Sequence, residues 1–121
     1  MTPMKYTIFG IKNCDTMKKA FVWLDAQGIE YEFIDYKKTG VVADHIDNWN
    51  KQVGWEALLN RKGLTWKKLS EADRSNVDEA KAIELMKTHP TLIKRPVLVN
   101  GKEAIVGFSP ESYQVFIQIT L

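Results

Sequence analysis

Cys14 is the single cysteine of the chain, and it stands in the run Gly10-Ile11-Lys12-Asn13-Cys14-Asp15-Thr16-Met17-Lys18. A thiol attacks a disulfide or another oxidised substrate as the thiolate, so its chemistry depends on what stabilises that anion. The short β-rich stretch Tyr6-Thr7-Ile8-Phe9 ends at Gly10, and helical spacing starts at Met17. Cys14 therefore falls in the turn between a strand and a helix, or at the helix cap. Unpaired amides and the helix dipole favour an anion there, and such a setting lowers a thiol pKa from its free value of about 8.5. Lys12 and Lys18 add positive charge nearby. Asp15 opposes it if its carboxylate turns toward sulfur, and otherwise suits the first helical turn. The competing role for a lone cysteine is that of a small buried hydrophobe. Polar neighbours weigh against burial, and the local chemistry leaves the two roles balanced.

A second place with chemical content is Lys94-Arg95-Pro96-Val97. A proline is tolerated at the start of a strand, where it need not donate to the ladder. Two readings stay open. Pro96 is an ordinary trans proline with Arg95 solvated, as cis is only about 5–6% of X–Pro bonds. Or the bond is cis and brings backbone beside the thiol, with Arg95 offering a planar, multi-donor grip on an oxyanion or carboxylate.

The elements that must position these residues follow from hydrophobic spacing. Met17, Ala20, Phe21 and Leu24 mark one face of a helix, which Gly28 ends in a left-handed cap. Tyr31 to Tyr36 reads as a second strand, so the first third is a βαβ unit with parallel strands and a right-handed connection. Residues 40–94 read as helical and carry no strand pattern. Val42, Ile46, Trp49 and Val53 repeat at helical spacing, Trp55 to Leu59 and Trp66 to Leu69 suggest short helices, and Asn76-Val77-Asp78-Glu79 has the form of a capping box. That box opens a helix running to Met86 or Lys87, which His89-Pro90 stops. Pro96 to Val99, Asn100-Gly101 and Glu103 to Val106 predict an antiparallel hairpin with a two-residue turn. Ser109-Pro110-Glu111 starts a final helix, with Val115, Phe116 and Ile119 on one face.

Composition bounds the function. At 121 residues the chain has the length of one α/β domain, residues 1–121, with a helical insertion at about 40–94. Such a length buries roughly two thirds of its unfolded surface. One cysteine and two isolated histidines, His45 and His89, argue against a metal site or an internal disulfide. Net charge is +2, and the basic pairs are scattered among acids rather than gathered on one face, which argues against a nucleic-acid partner. No apolar stretch approaches the roughly 20 residues needed to span a bilayer, and the N-terminus lacks the apolar segment of a signal peptide. The expected setting is cytoplasmic, with the thiol kept reduced.

The order strand, cysteine loop, helix, strand, helical insertion, Leu58-Leu59-Asn60-Arg61-Lys62-Gly63, Arg95-Pro96 and hairpin resembles the arsenate reductase (ArsC) family over nearly the whole chain. The run from Gly10 to Thr16 looks closest to a YffB-like subgroup of glutathione-linked thiol reductases. The resemblance implies a thioredoxin-like fold with a mixed four-stranded sheet. It implies that Cys14 is the redox nucleophile, that Arg95 helps bind an oxyanion and that Pro96 is cis. Glutathione is then the expected co-substrate, with no bound cofactor, and glutaredoxin another possible partner. With a single cysteine, resolution of a mixed disulfide comes from outside the chain. Lys12, Asn13, Lys18 and Arg61 join Arg95 and Pro96 as the expected substrate-binding positions, for a small oxyanion or a disulfide. Three positions depart from the arsenate reductase pattern. Gly10 stands where a histidine is expected, Asn60 where an arginine is expected, and Phe108 at the last pocket arginine. The related Spx regulators, many carrying Cys-x-x-Cys, share the fold and bind RNA polymerase, so an Spx-like binding module is the alternative. Cys14-Asp15-Thr16-Met17 allows no internal switch.

Overall fold

The computed structural model describes residues 6–38 and 40–120. Four strands, β1 (Tyr6–Gly10), β2 (Tyr31–Asp35), β3 (Val97–Val99) and β4 (Ala104–Val106), form one sheet in the order β2-β1-β3-β4. β1 and β2 are parallel, while β3 pairs antiparallel with both β1 and β4. This mixed four-stranded sheet is the thioredoxin-like arrangement that the family resemblance implies.

Alternation along the central strands builds two cores. Tyr6 and Ile8 of β1 and Leu98 of β3 face α1 (Asp15–Ala26) and α7 (Pro110–Thr120), where Met17, Ala20, Leu24, Tyr113, Phe116 and Ile117 complete the packing. Phe9, Val97 and Val99 face the other way, onto α2 (Val41–Val53) and α6 (Glu79–Thr88). The block between β2 and β3 is thus the second layer of the molecule. Its members also include α3 (Trp55–Leu58), α4 (Leu64–Lys68), α5 (Glu71–Arg74) and a 3-10 turn at Pro90–Leu92. No helix is long and apolar enough to cross a membrane among the described residues.

Local chemistry explains the boundaries. Gly28, at φ 69°, closes α1; its amide bonds Asp25 O at 3.1 Å and the Ile29 amide bonds Leu24 O at 3.0 Å, the paired bonds of a left-handed helix stop. Ser109 caps α7 by accepting from the Ser112 amide at 3.1 Å, with Pro110 in the first turn.

Four expectations need correction. The cap of α6 is Asp78, which accepts from the Lys81 amide at 2.9 Å, whereas Asn76 adopts φ 53° in the turn before it. Asp78 stands two residues nearer the helix than Asn76, the cap of the expected box, and its carboxylate takes up the Lys81 amide on its own. The β3–β4 connection has four residues, because Val99 pairs with Ala104. Asn100 Oδ1 accepts from the Glu103 amide at 2.8 Å, so the asparagine side chain replaces the tight turn. In α7 Phe116 faces inward as expected, together with Tyr113 and Ile117, but Val115 is 54% exposed, and the side chain of Ile119 lies outside the described residues. Finally, the helical block does contribute a β-type pairing: Leu59 forms an antiparallel bridge with Ile93.

Candidate active site

One wall of the site is the β1–α1 junction. Tyr36 donates its amide to Gly10 O at 3.0 Å, extending the ladder past the end of β2. A Cβ at Gly10 would collide with the Met17 thioether, whose Cε lies 2.6 Å from that point, so glycine lets the first turn of α1 settle on the end of β1. The chain then turns through Asn13, at φ 60°, a conformation asparagine tolerates better than most residues. It delivers Cys14 as the N-cap of α1, with extended backbone and its carbonyl accepting from the Lys18 amide at 3.0 Å. The thiol is half-buried.

The opposite wall is built by the Leu59–Ile93 bridge. Asn60 donates its amide to Leu92 O and Lys94 donates to Leu58 O, both at 2.8 Å, which aligns Asn60 and Lys94 on one edge. The Arg95–Pro96 peptide bond is cis, and Pro96 O accepts from the Gly107 amide at 2.8 Å. Cys14, Thr16, Asn60, Lys94, Arg95 and Gly107 line an open pocket of about 310 Å³ between the walls.

Arg95 does not float in this pocket. Its Nη1 donates to the Tyr36 hydroxyl at 3.1 Å, and that hydroxyl donates to Ile93 O at 3.0 Å. Tyr36 is fully buried. Burial holds its phenol above the usual range against the opposing pull of Arg95, so it stays protonated and keeps both bonds. The guanidinium held this way faces the sulfur. Burial pushes the Cys14 thiol up, but the Met17 amide, the Arg95 guanidinium and the Thr16 amide together outweigh it and bring the pKa below the ordinary thiol value. The amides act on the sulfur without closing a side-chain cap bond, so the attraction is mainly for the charged form. The site favours a thiolate that solvent can reach.

Tyr36→Phe removes the acceptor that fixes Arg95 and leaves Ile93 O unpaired in the core. The expected result is an upward shift in the pKa of Cys14, read from the pH dependence of its alkylation. A loss of about 1–3 kcal/mol in urea denaturation should accompany it. A stability loss with no change in the alkylation profile would show that Tyr36 is a purely structural residue.

The structure brings Cys14 and Arg95 together, with Pro96 buried behind them and acting through its carbonyl. Lys12 and Asn13 are exposed on the loop before Cys14, outside this lining. Lys18 borders a separate apolar groove with Lys19, Val22, Trp23, Phe108 and Pro110. Arg61 lies in a neighbouring cleft, its guanidinium 5.9 Å from the Trp55 ring centre and 5.6 Å from that of Trp66. Thr16, Lys94, Gly107 and Tyr36 are site residues that the sequence reading did not single out. Lys94 directly precedes Arg95 in sequence, and Tyr36 stands at the end of the second strand, where a buried hydroxyl needs a partner.

The ArsC family model matches residues 9–116. The chain belongs to the ArsC family. An uncharacterised protein of Haemophilus influenzae is 38% identical over 108 residues, which cover 89% of this chain and 95% of the relative. A solved arsenate reductase related protein of Brucella melitensis is 52% identical, covers 98% of both chains and superposes with a TM-score of 0.76. A solved YffB protein is 50% identical, with 91% of this chain and 96% of that one covered and a TM-score of 0.85. The departures from the arsenate reductase pattern take physical form in this ArsC protein. Gly10 makes room for Met17. Asn60 puts a neutral amide in the pocket lining. Phe108 packs edge-on against Tyr113, with ring centres 4.8 Å apart.

Proposed function

We propose that this chain is a glutathione-linked thiol reductase that works through a single cysteine. The observation that carries the reading is Cys14 at a helix N-terminus, facing an arginine that a buried tyrosine holds in place. The Cys14 thiolate attacks one sulfur of a substrate disulfide. A new S–S bond forms, the old one breaks, and the leaving thiolate departs with the bonding electron pair and takes a proton from solvent. An external thiol (glutathione, or a glutaredoxin) then attacks the mixed disulfide and releases Cys14 as the thiolate. Each cycle consumes one disulfide and forms another, with one external thiol entering as one substrate thiol leaves, so no further oxidant or reductant is needed. Arg95 favours both halves, since a stabilised thiolate is also the better leaving group.

Two cations, Lys94 and Arg95, line the pocket beside neutral Asn60 and Thr16. With Asn60 in the lining and Phe108 packed on Tyr113, a compact oxyanion finds fewer cations here than the arsenate reductase pattern supplies, and disulfide exchange is the reaction proposed. Incubation with glutathione disulfide tests it. Mass spectrometry should find one glutathionyl group, at Cys14, removed by fresh glutathione, and a coupled assay should show turnover. No adduct contradicts the chemistry. An adduct without turnover of any mixed disulfide contradicts the enzyme and fits a redox-sensitive binding module.

A further inference from the structure

The Cys14 pocket shares the wall made by Asn60 and Lys94 with a second cleft of about 510 Å³, lined also by Glu56, Leu59, Arg61 and Lys62. Three cations stand on that cleft, and among the described residues none of Arg61, Lys62 and Lys94 is in an ion pair. Arg61 is also preorganised. Although exposed, its guanidinium lies against both Trp55 and Trp66, which attract it through the faces of their rings and restrict the rotamer freedom a ligand would otherwise have to remove. The common wall is fixed as well. Asn60 Oδ1 accepts from the Lys62 amide at 3.0 Å, and a Cβ at Gly63 would come within 2.9 Å of Asn60 Nδ2, so only glycine leaves that side chain undisturbed.

We propose that this cleft is an anion subsite of the Cys14 centre, taking a carboxylate carried several bonds from the reacting sulfur. The substrates are therefore disulfides of acidic, peptide-length thiols. A small neutral disulfide reaches Cys14 and leaves Arg61 and Lys62 unused, whereas a longer anionic thiol occupies both places at once. Glu56, also on the lining, disfavours a second negative group in the same cleft. The proposal rests on the assignment of Cys14 as the nucleophile, and the experiment separates the two.

Two probes suffice: the 2-pyridyl disulfide of glutathione and the 2-pyridyl disulfide of 2-mercaptoethanol. In each, Cys14 attacks the aliphatic sulfur, forms the mixed disulfide and expels pyridine-2-thiolate, whose absorbance reports a single turnover with no resolving thiol. At neutral pH and low salt the wild type should prefer the glutathione probe, relative to the two probes' rates with a free thiol. Arg61→Gln should cut that preference by up to about fivefold, the upper end of what one solvent-exposed charge contact supplies. Lys62→Gln should cut it in the same direction, and added salt should shrink it in the wild type by screening. The same preference in wild type and both variants, or an equal slowing of both probes by Arg61→Gln, overturns the subsite. Failure of the wild type to outrun a free thiol with either probe overturns the assignment of Cys14 instead.

Discussion

Turnover of a glutathione mixed disulfide is expected to fall by on the order of a thousandfold or more when Cys14 is replaced by serine. A serine hydroxyl beside Arg95 stays protonated near neutral pH, and no other thiol exists in the chain to take its place. The loss cannot be ascribed to unfolding. Position 14 is the N-cap of α1, where serine is among the favoured residues, so the variant should match or exceed wild-type stability by up to about 1 kcal/mol. Coupled turnover and thermal unfolding measured on the same preparation check both halves. A serine variant with full turnover would remove the sulfur from the mechanism.

Arg95→Leu is the second large effect. The guanidinium is a principal counter to the burial that pushes the Cys14 thiol up, alongside the Met17 and Thr16 amides. Without it the Cys14 pKa rises and the thiolate fraction at neutral pH falls. Charge-assisted hydrogen bonds are worth about 1.5–3 kcal/mol when well shielded, and solvent access to this pocket discounts that. A drop of about threefold to tenfold in the alkylation rate at pH 7 follows, at roughly 1.4 kcal/mol per decade. The sign has a second consequence. Above the pKa of both proteins the thiol is fully ionised in each, so the rates should converge as pH rises. Arg95→Lys should fall between them, since it keeps the charge and loses the planar fork that reaches Tyr36 and the sulfur together. Stopped-flow alkylation from pH 6 to pH 10 reads all three. A constant ratio across that range would mean that Arg95 does not act through ionisation.

The fold was readable wherever one periodicity dominated. Met17, Ala20 and Leu24 at helical spacing, and β-rich runs bounded by Gly10 and Gly28, placed β1, α1 and β2 within a residue or two. The position of Cys14 at the cap followed from that. Side-chain hydrogen bonds that compete for the same amides were harder to read. Asn76 and Asp78 both offer a cap oxygen, and the structure caps α6 with Asp78 while Asn76 takes a left-handed turn conformation. Asn100-Gly101 suits a tight turn, yet the Asn100 side chain and the Val99–Ala104 register settle on a longer one.

Contacts between segments far apart in sequence leave no local pattern. Leu58 and Leu59 look like the end of a short helix, and nothing nearby shows that Leu59 pairs with Ile93. That pairing decides the site, since it puts Asn60 and Lys94 on the pocket and sends Arg61 to the cleft beyond. Arg95 is legible as a planar, multi-donor side chain beside Pro96, but its orientation depends on Tyr36, which long-range folding brings to it. The nucleophile was legible from its own neighbours. The groups that tune it were not.

Ionisation of Cys14 is the claim on which the rest depends, and a direct titration decides it. Iodoacetamide alkylation of the folded protein, followed by mass across pH, should give a midpoint clearly below that of the same chain unfolded in urea. A folded midpoint equal to or above the unfolded one would show that burial wins over Arg95 and the amides of Thr16 and Met17, and it would contradict the account.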